Sequence, residues 1–231
     1  MKDEGLRCTG VTVLPDAAHS AISAEPAARQ GALDHLRWAC DCLAAAGGEV
    51  LAGPFYQPLG EFTGAAPTAA ERDGIVAVHR AAAAHPAWQG LPLAVEPLNR
   101  FECHALNTVA DAAAIVRRVD LPNYRLLYDT FHANIEEQDP VGVLAAHLDL
   151  VGHVHLSEND RGTPGRGHVP WAATLGTLKA GGYRGWCVIE AFGRALPALA
   201  AATRVWRDFF PSREAVYQDG HAFLREAWQK A

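Results

Sequence analysis

No CxxC pair occurs among the five cysteines, Cys8, Cys40, Cys42, Cys103 and Cys187. An odd number without that spacing indicates neither a disulfide framework nor a thiolate zinc knuckle, and a reducing, cytoplasmic setting is the expectation. No run of about 18 apolar residues is present, so no membrane span is expected. The opening "MKDEGLRCTGVTVLP" lacks a long apolar centre and does not read as a secretion signal. A long basic stretch is also missing, and the net charge is −6. Both argue against a nucleic-acid groove. Linkers, low-complexity tracts and short tight repeats are absent as well. What remains is ordinary soluble composition: 231 residues, 49% hydrophobic and 20% charged. It can bury a large core as a single α/β domain over residues 1–231.

Six short apolar runs alternate with helical patterns. The runs are "LRCTGVTVL" (6–14), "EVLAGP" (49–54), "LPLAVE" (91–96), "YRLLYD" (124–129), "LVGHVHLS" (150–157) and "WCVIEAF" (186–192). They are apolar on both faces, as strands buried in a parallel sheet are. In 26–46, Leu33, Leu36, Cys40 and Leu43 recur at helical spacing, and Gly47-Gly48 stops the helix. Thr108 with Asp111 reads as a capping box before "AAAIVRRV". Asp139-Pro140 reads as an N-cap and first-turn proline before "VGVLAAHL". Pro170 opens "WAATLGTLKA", and Gly181-Gly182 closes it. Two further helices are expected at about 194–209 and 212–229, capping a βα repeat.

Four of the runs end in metal-ligand chemistry: Glu96, Asp129, His155 and Glu190. The intervals are 33, 26 and 35 residues, each about one βα unit. The four groups therefore belong on one rim of a parallel sheet, and in closed (βα) barrels the rim at the C-terminal strand ends carries the chemistry. One acid at a strand end is usually a helix cap or a solvated loop residue. Four in successive units are different, because buried acids need partners. Three carboxylates would repel unless a cation sat among them. Oxygen-rich ligands with one nitrogen suit Mn²⁺, Mg²⁺ or Co²⁺ better than structural zinc. After His155 comes "SENDRGTPGRGH", with three glycines, two arginines and two carboxylates, more than a simple turn requires.

The stretches "AVEPLNRFE", "LLYDTFHANIEE", "HVHLSENDRGTPGRGHVPW" and "VIEAF" resemble the xylose-isomerase-like (sugar phosphate isomerase/epimerase) TIM barrels. Among these they are most similar to the ketose 3-epimerases of the D-tagatose/D-psicose group. The resemblance runs from about Leu6 to Phe210. It implies a (βα)8-type barrel and a divalent cation, Mn²⁺ first, held by Glu96, Asp129, His155 and Glu190. It implies Glu96 and Glu190 as the acid–base pair, with Glu102, His132 and Arg161 contacting the O1–O3 end of the sugar or supporting the site. Epimerisation of a free ketose at C3 through an enediolate is the activity it implies, together with a dimeric or tetrameric assembly. His132 could instead be a loop histidine, Arg161 could pair with Asp160 or Glu158, and Glu102 could only orient a ligand.

Six strands are counted where the resembled family has eight. The first run occupies the place of a third strand, so the barrel is expected to be truncated to about six βα units. Roughly sixty residues, two units of a barrel of about 250, would precede it. Open edges and an incomplete sugar pocket would follow. Two other readings share the superfold: an aldose–ketose or hydroxypyruvate-type isomerase, and an apurinic endonuclease that needs a basic face this chain lacks. An inactive remnant that binds metal or sugar stands outside enzymology.

Overall fold

The computed structural model describes residues 4–88 and 90–231. Six strands form one sheet whose spatial order is the sequence order: β1 (Gly10–Val11), β2 (Leu51–Gly53), β3 (Leu93–Val95), β4 (Tyr124–Asp129), β5 (Val151–Leu156) and β6 (Trp186–Ile189). The first three pairings are parallel, with Gly10 opposite Leu51, Leu51 opposite Leu93, and Leu93 opposite Tyr124. Sequential parallel neighbours require a crossover at each step, which the βα pattern supplies. By contacts the chain divides into two compact units, Met1–Leu127 with Leu150–His153, and Tyr128–Asp149 with Val154–Ala231.

In the first unit, α1 (Pro26–Ala46), α2 (Ala69–Ala83) and α3 (Val109–Val119) supply the helical layer. α1 keeps the boundaries read from sequence. Pro26 occupies its first turn, and Gly47, at φ 71°, accepts the left-handed conformation that ends it. Its buried face is Ala28, Ala32, Leu36, Ala39, Cys40 and Leu43. α2 starts on a reciprocal capping box between Thr68 and Glu71. At Thr108 only half of such a box forms: the hydroxyl accepts from the Asp111 amide, and it donates to the Asp111 carboxylate. β2 ends on Gly53 at φ 128°, where a Cβ would lie 2.4 Å from the Thr12 carbonyl oxygen, so no side chain fits.

β1 is much shorter than its nine-residue apolar run. Regular pairing covers Gly10–Val11, and Leu14 adds only an isolated bridge to Pro58. Among the described residues β1 ends the sheet order and hydrogen-bonds to β2. Leu6, Val11 and Val13 are accordingly exposed.

The second unit holds α4 (Thr130–Glu136), α5 (Pro140–His147), α6 (Trp171–Ala180), α7 (Pro197–Ala202) and α8 (Arg213–Lys230). Asp139 caps α5 through the Gly142 amide at 2.8 Å. Ser212 caps α8. The helix expected over 194–209 is only the six residues of α7. It closes in a left-handed turn at Arg204 (φ 58°), where Val205 N–H returns to the Ala200 carbonyl and Arg204 N–H to Ala201. Burial of Val205 draws the chain back over the helix end, as the apolar contact of a Schellman motif does. The short α4, which begins directly at the end of β4, carries no helix signal in the sequence patterns above. Among the described residues no helix is long and apolar enough to cross a membrane.

Among the polar groups buried in the first unit is a histidine whose hydrogen bonds fix its protonation. His79 is fully buried between Tyr124 and Phe55. The Phe55 carbonyl can only accept, so Nε2 carries the proton (3.0 Å) and Nδ1 accepts from the Tyr124 hydroxyl (2.5 Å). Burial pushes its pKa down to about 4. The folded state then binds the proton less readily than an unfolded histidine near 6.5 does, so this stability is complete above about pH 6.5 and is lost as pH falls toward 4. The shift corresponds to about 3 kcal/mol at most. Urea unfolding at pH 7 and pH 4.5 is expected to show a clearly smaller acid-dependent loss in His79→Gln than in the native chain; equal losses refute this assignment.

Candidate metal centre

β4 runs to Asp129, and α4 starts at the next residue. The Asp129 carboxylate consequently serves two structures at once. Its Oδ1 accepts from the amides of Phe131 (2.5 Å) and His132 (3.3 Å), capping α4. Its Oδ2 faces His155 Nδ1 at 3.6 Å and Arg161 Nη1 at 3.1 Å. Beside it, the Thr130 hydroxyl donates to the Ser157 carbonyl (2.6 Å) and accepts from the Ser157 amide (2.8 Å). That exchange ties the end of β4 to the end of β5, which carries His155.

His155 directs Nδ1 toward Asp129 and, at 3.3 Å, toward Glu190 Oε1. Glu190 follows β6, and its amide bonds to the Leu156 carbonyl. Glu96 follows β3, with its amide on the Gly53 carbonyl. One ligand atom from each of Glu96, Asp129, His155 and Glu190 lies within 4.8 Å of the other three. Glu96, Asp129 and His155 are buried, and Glu190 is half-buried.

Arg161 completes the cluster. Nη1 donates to Asp129, to the Ser157 hydroxyl (3.1 Å) and to Glu190 Oε2, while Nη2 donates to His132 Nε2 at 2.8 Å. The guanidinium carbon lies 3.9 Å from the Phe131 ring centre and 5.0 Å from that of Phe192. Neither Asp160 nor Glu158 pairs with it. Burial works to raise the Asp129 pKa, yet the Arg161 charge and the hydrogen bond with His155 outweigh it and hold the carboxyl well below its ordinary range. Burial and then the adjacent Arg161 push His132 down to about 3, so its Nε2 stays a neutral acceptor for the guanidinium.

The donor set fits a divalent cation. Three carboxylates against one guanidinium leave formally two negative charges in a mostly buried site, and two positive charges balance them. Three oxygens and one imidazole nitrogen match a hard or intermediate ion.

Of the residues singled out from sequence, Glu96, Asp129, His155 and Glu190 converge, and His132 and Arg161 adjoin them. Glu102 is not one of the four clustered groups. It is half-buried, and its Oε1 accepts from Asn99 at 2.8 Å. Phe131, Phe192, Thr130 and Ser157 were overlooked. The two phenylalanines lie inside the quoted "DTFH" and "EAF" stretches, so nearness to a ligand was the available signal.

A profile of the xylose isomerase-like TIM barrel family matches residues 1–227. The chain belongs to that family. It is 32% identical over 214 residues to a protein of Methylomonas sp. named L-ribulose 3-epimerase, covering 92% of this chain and 74% of that one. It is 38% identical over 179 residues to a Synechocystis protein named "Probable ketose 3-epimerase", covering 78% of this chain. That match spans 62% of the Synechocystis protein, less than two thirds of its length. The solved D-allulose 3-epimerase from Methylomonas sp. in complex with D-allulose superposes with a TM-score of 0.91 at 31% identity, over 98% of this chain and 78% of that one. The sheet of the xylose isomerase-like chain thus has six strands of the TIM-barrel type among its described residues.

Calorimetry with a divalent salt is expected to find one ion bound per chain. Asp129→Ala and His155→Ala should each weaken it at least tenfold, about 1.4 kcal/mol. Unchanged affinity in both would remove the site.

Proposed function

We propose that the chain is a divalent-metal-dependent ketose 3-epimerase, with Mn²⁺ as the first choice of ion and Mg²⁺ or Co²⁺ as substitutes. The observation that carries this reading is the convergence of Glu96, Asp129, His155 and Glu190 within 4.8 Å, in a family whose relatives bear epimerase names.

A hydrogen beside a ketone is only weakly acidic, so its removal needs a positioned base and a means to hold the resulting negative charge. The bound ion would supply Lewis acidity toward the sugar oxygens. Glu96 and Glu190 are the two carboxylates proposed to move the proton. One removes it from C3, and the other returns one to the opposite face of the enediolate. Arg161, already donating to Asp129 and Glu190, would hold charge on the reacting oxygens with its planar fork. Neutral His132 keeps that fork oriented through the 2.8 Å contact to Nη2. Glu102 is proposed to reach the sugar or to steady the loop carrying Asn99.

Incubation with Mn²⁺ and D-fructose, D-psicose or D-tagatose in D₂O, followed by NMR, tests the reading. Deuterium is expected at C3, and Glu96→Gln and Glu190→Gln should each slow its entry by about 10²–10⁴-fold. Label at C1 or C2 alone would make the chain an aldose–ketose isomerase. No label despite a bound ion would leave it a binding protein.

A further inference from the structure

The carboxylate of Glu158 is fully buried, three residues beyond His155, and all four of its hydrogen-bond partners are neutral N–H groups. Oε1 accepts from the amides of Asn159 and Val169, both at 3.1 Å. Oε2 accepts from the Gly165 amide at 2.8 Å and from the Trp171 indole at 2.9 Å. These donors come from the start, middle and end of the loop that joins β5 to α6, so the loop is wrapped around one charged group. The indole anchor sits on the first residue of α6, itself buried.

The packing leaves no slack. A Cβ at Gly167 would meet Asn159 Oδ1 at 1.9 Å and Glu158 Oε1 at 2.6 Å. At Gly165, φ 88°, one would strike the Phe223 ring at 2.7 Å. A buried carboxylate is unfavourable unless its lone pairs are satisfied, and losing its partners costs more than an ordinary hydrogen bond. The loop therefore closes around Glu158 as a unit.

Arg161 is carried by this unit. Its φ is +64°, a conformation that side-chain-bearing residues adopt only when their surroundings impose it. Its amide donates to the Glu158 carbonyl at 3.0 Å, and its own carbonyl accepts from the Phe192 amide at 3.0 Å. The turn that reverses the chain at Arg161 thus starts on the residue whose side chain gathers the loop.

We infer that Glu158 is a positioning residue: its buried carboxylate gathers the 158–171 loop and thereby aims the Arg161 guanidinium at Asp129, Glu190 and His132. Glu158 touches no reacting atom in this scheme and acts through Arg161. The consequence for catalysis rests on the epimerase reading above; the consequence for Arg161 does not.

The test uses Glu158→Gln, which preserves shape but turns an amide NH₂ toward N–H donors, and the milder Trp171→Phe, which removes one donor. Amide exchange of 158–169 is expected to speed up at least tenfold in Glu158→Gln and less in Trp171→Phe, with α8 unchanged. The Arg161 side-chain Nε–H resonance, assigned by its loss in Arg161→Lys and shifted by the two phenylalanine rings, should move in the same order. C3 exchange should fall about 10–100-fold in Glu158→Gln, but less than threefold when the same change is made in Arg161→Lys. Equal losses in both backgrounds, or an unmoved Arg161 resonance with unchanged loop exchange, overturn the inference. If the native chain shows no C3 exchange, the epimerase reading fails alone, and the resonance and amide exchange still decide the role of Glu158.

Discussion

Three carboxylates held together in a mostly buried site repel one another, and this constraint organises the groups around them. Arg161 offsets one charge directly. It lies near the Phe131 and Phe192 rings and is bonded to Asp129, Glu190, Ser157 and His132. The charge left over matches that of a divalent ion. The acids are tolerated in a mostly buried place because that place is equipped for cations, which is also what makes it a candidate for chemistry on oxygen-rich substrates.

Meeting the constraint needs backbone precision, and several side chains supply it by doing two jobs. Asp129 caps α4 with one oxygen and faces the other ligands with its second. Thr130 binds both the amide and the carbonyl of Ser157, locking neighbouring strand ends. Glu158 spends a buried negative charge on loop geometry alone. The ligands stand on strand ends, and the arginine that balances them stands on a loop. The loop is therefore the part that needed an internal anchor.

Much of this was legible beforehand, for local reasons. α1 begins at a proline and ends at a glycine, signals confined to neighbouring residues, so its bounds were readable. β4 and β5 are apolar runs with polar ends and were placed to within a residue or two. β1 was overestimated because strand length depends on a distant partner, and β2 offers only three residues. The helix over 194–209 was overestimated because burial of Val205 ends it, and no local residue announces that burial. The resemblance implies parallel roles for Glu102 and Arg161, yet Arg161 bonds to Asp129 and Glu190 while Glu102 bonds to Asn99.

The repeat, the residue types at the strand ends and the family resemblance are written in the chain itself, since periodicity, caps and motifs are properties of neighbouring residues. Tertiary structure decided which groups meet: that Nδ1 of His155 faces the acids, that Arg161 pairs with Asp129 and Glu190 rather than with Asp160, and that Glu158 turns into its own loop. The first two outcomes depend on distances between residues about 30 positions apart, and the third on a loop closed over at most 13. Such distances exist only once the strands are in register and the loops are closed.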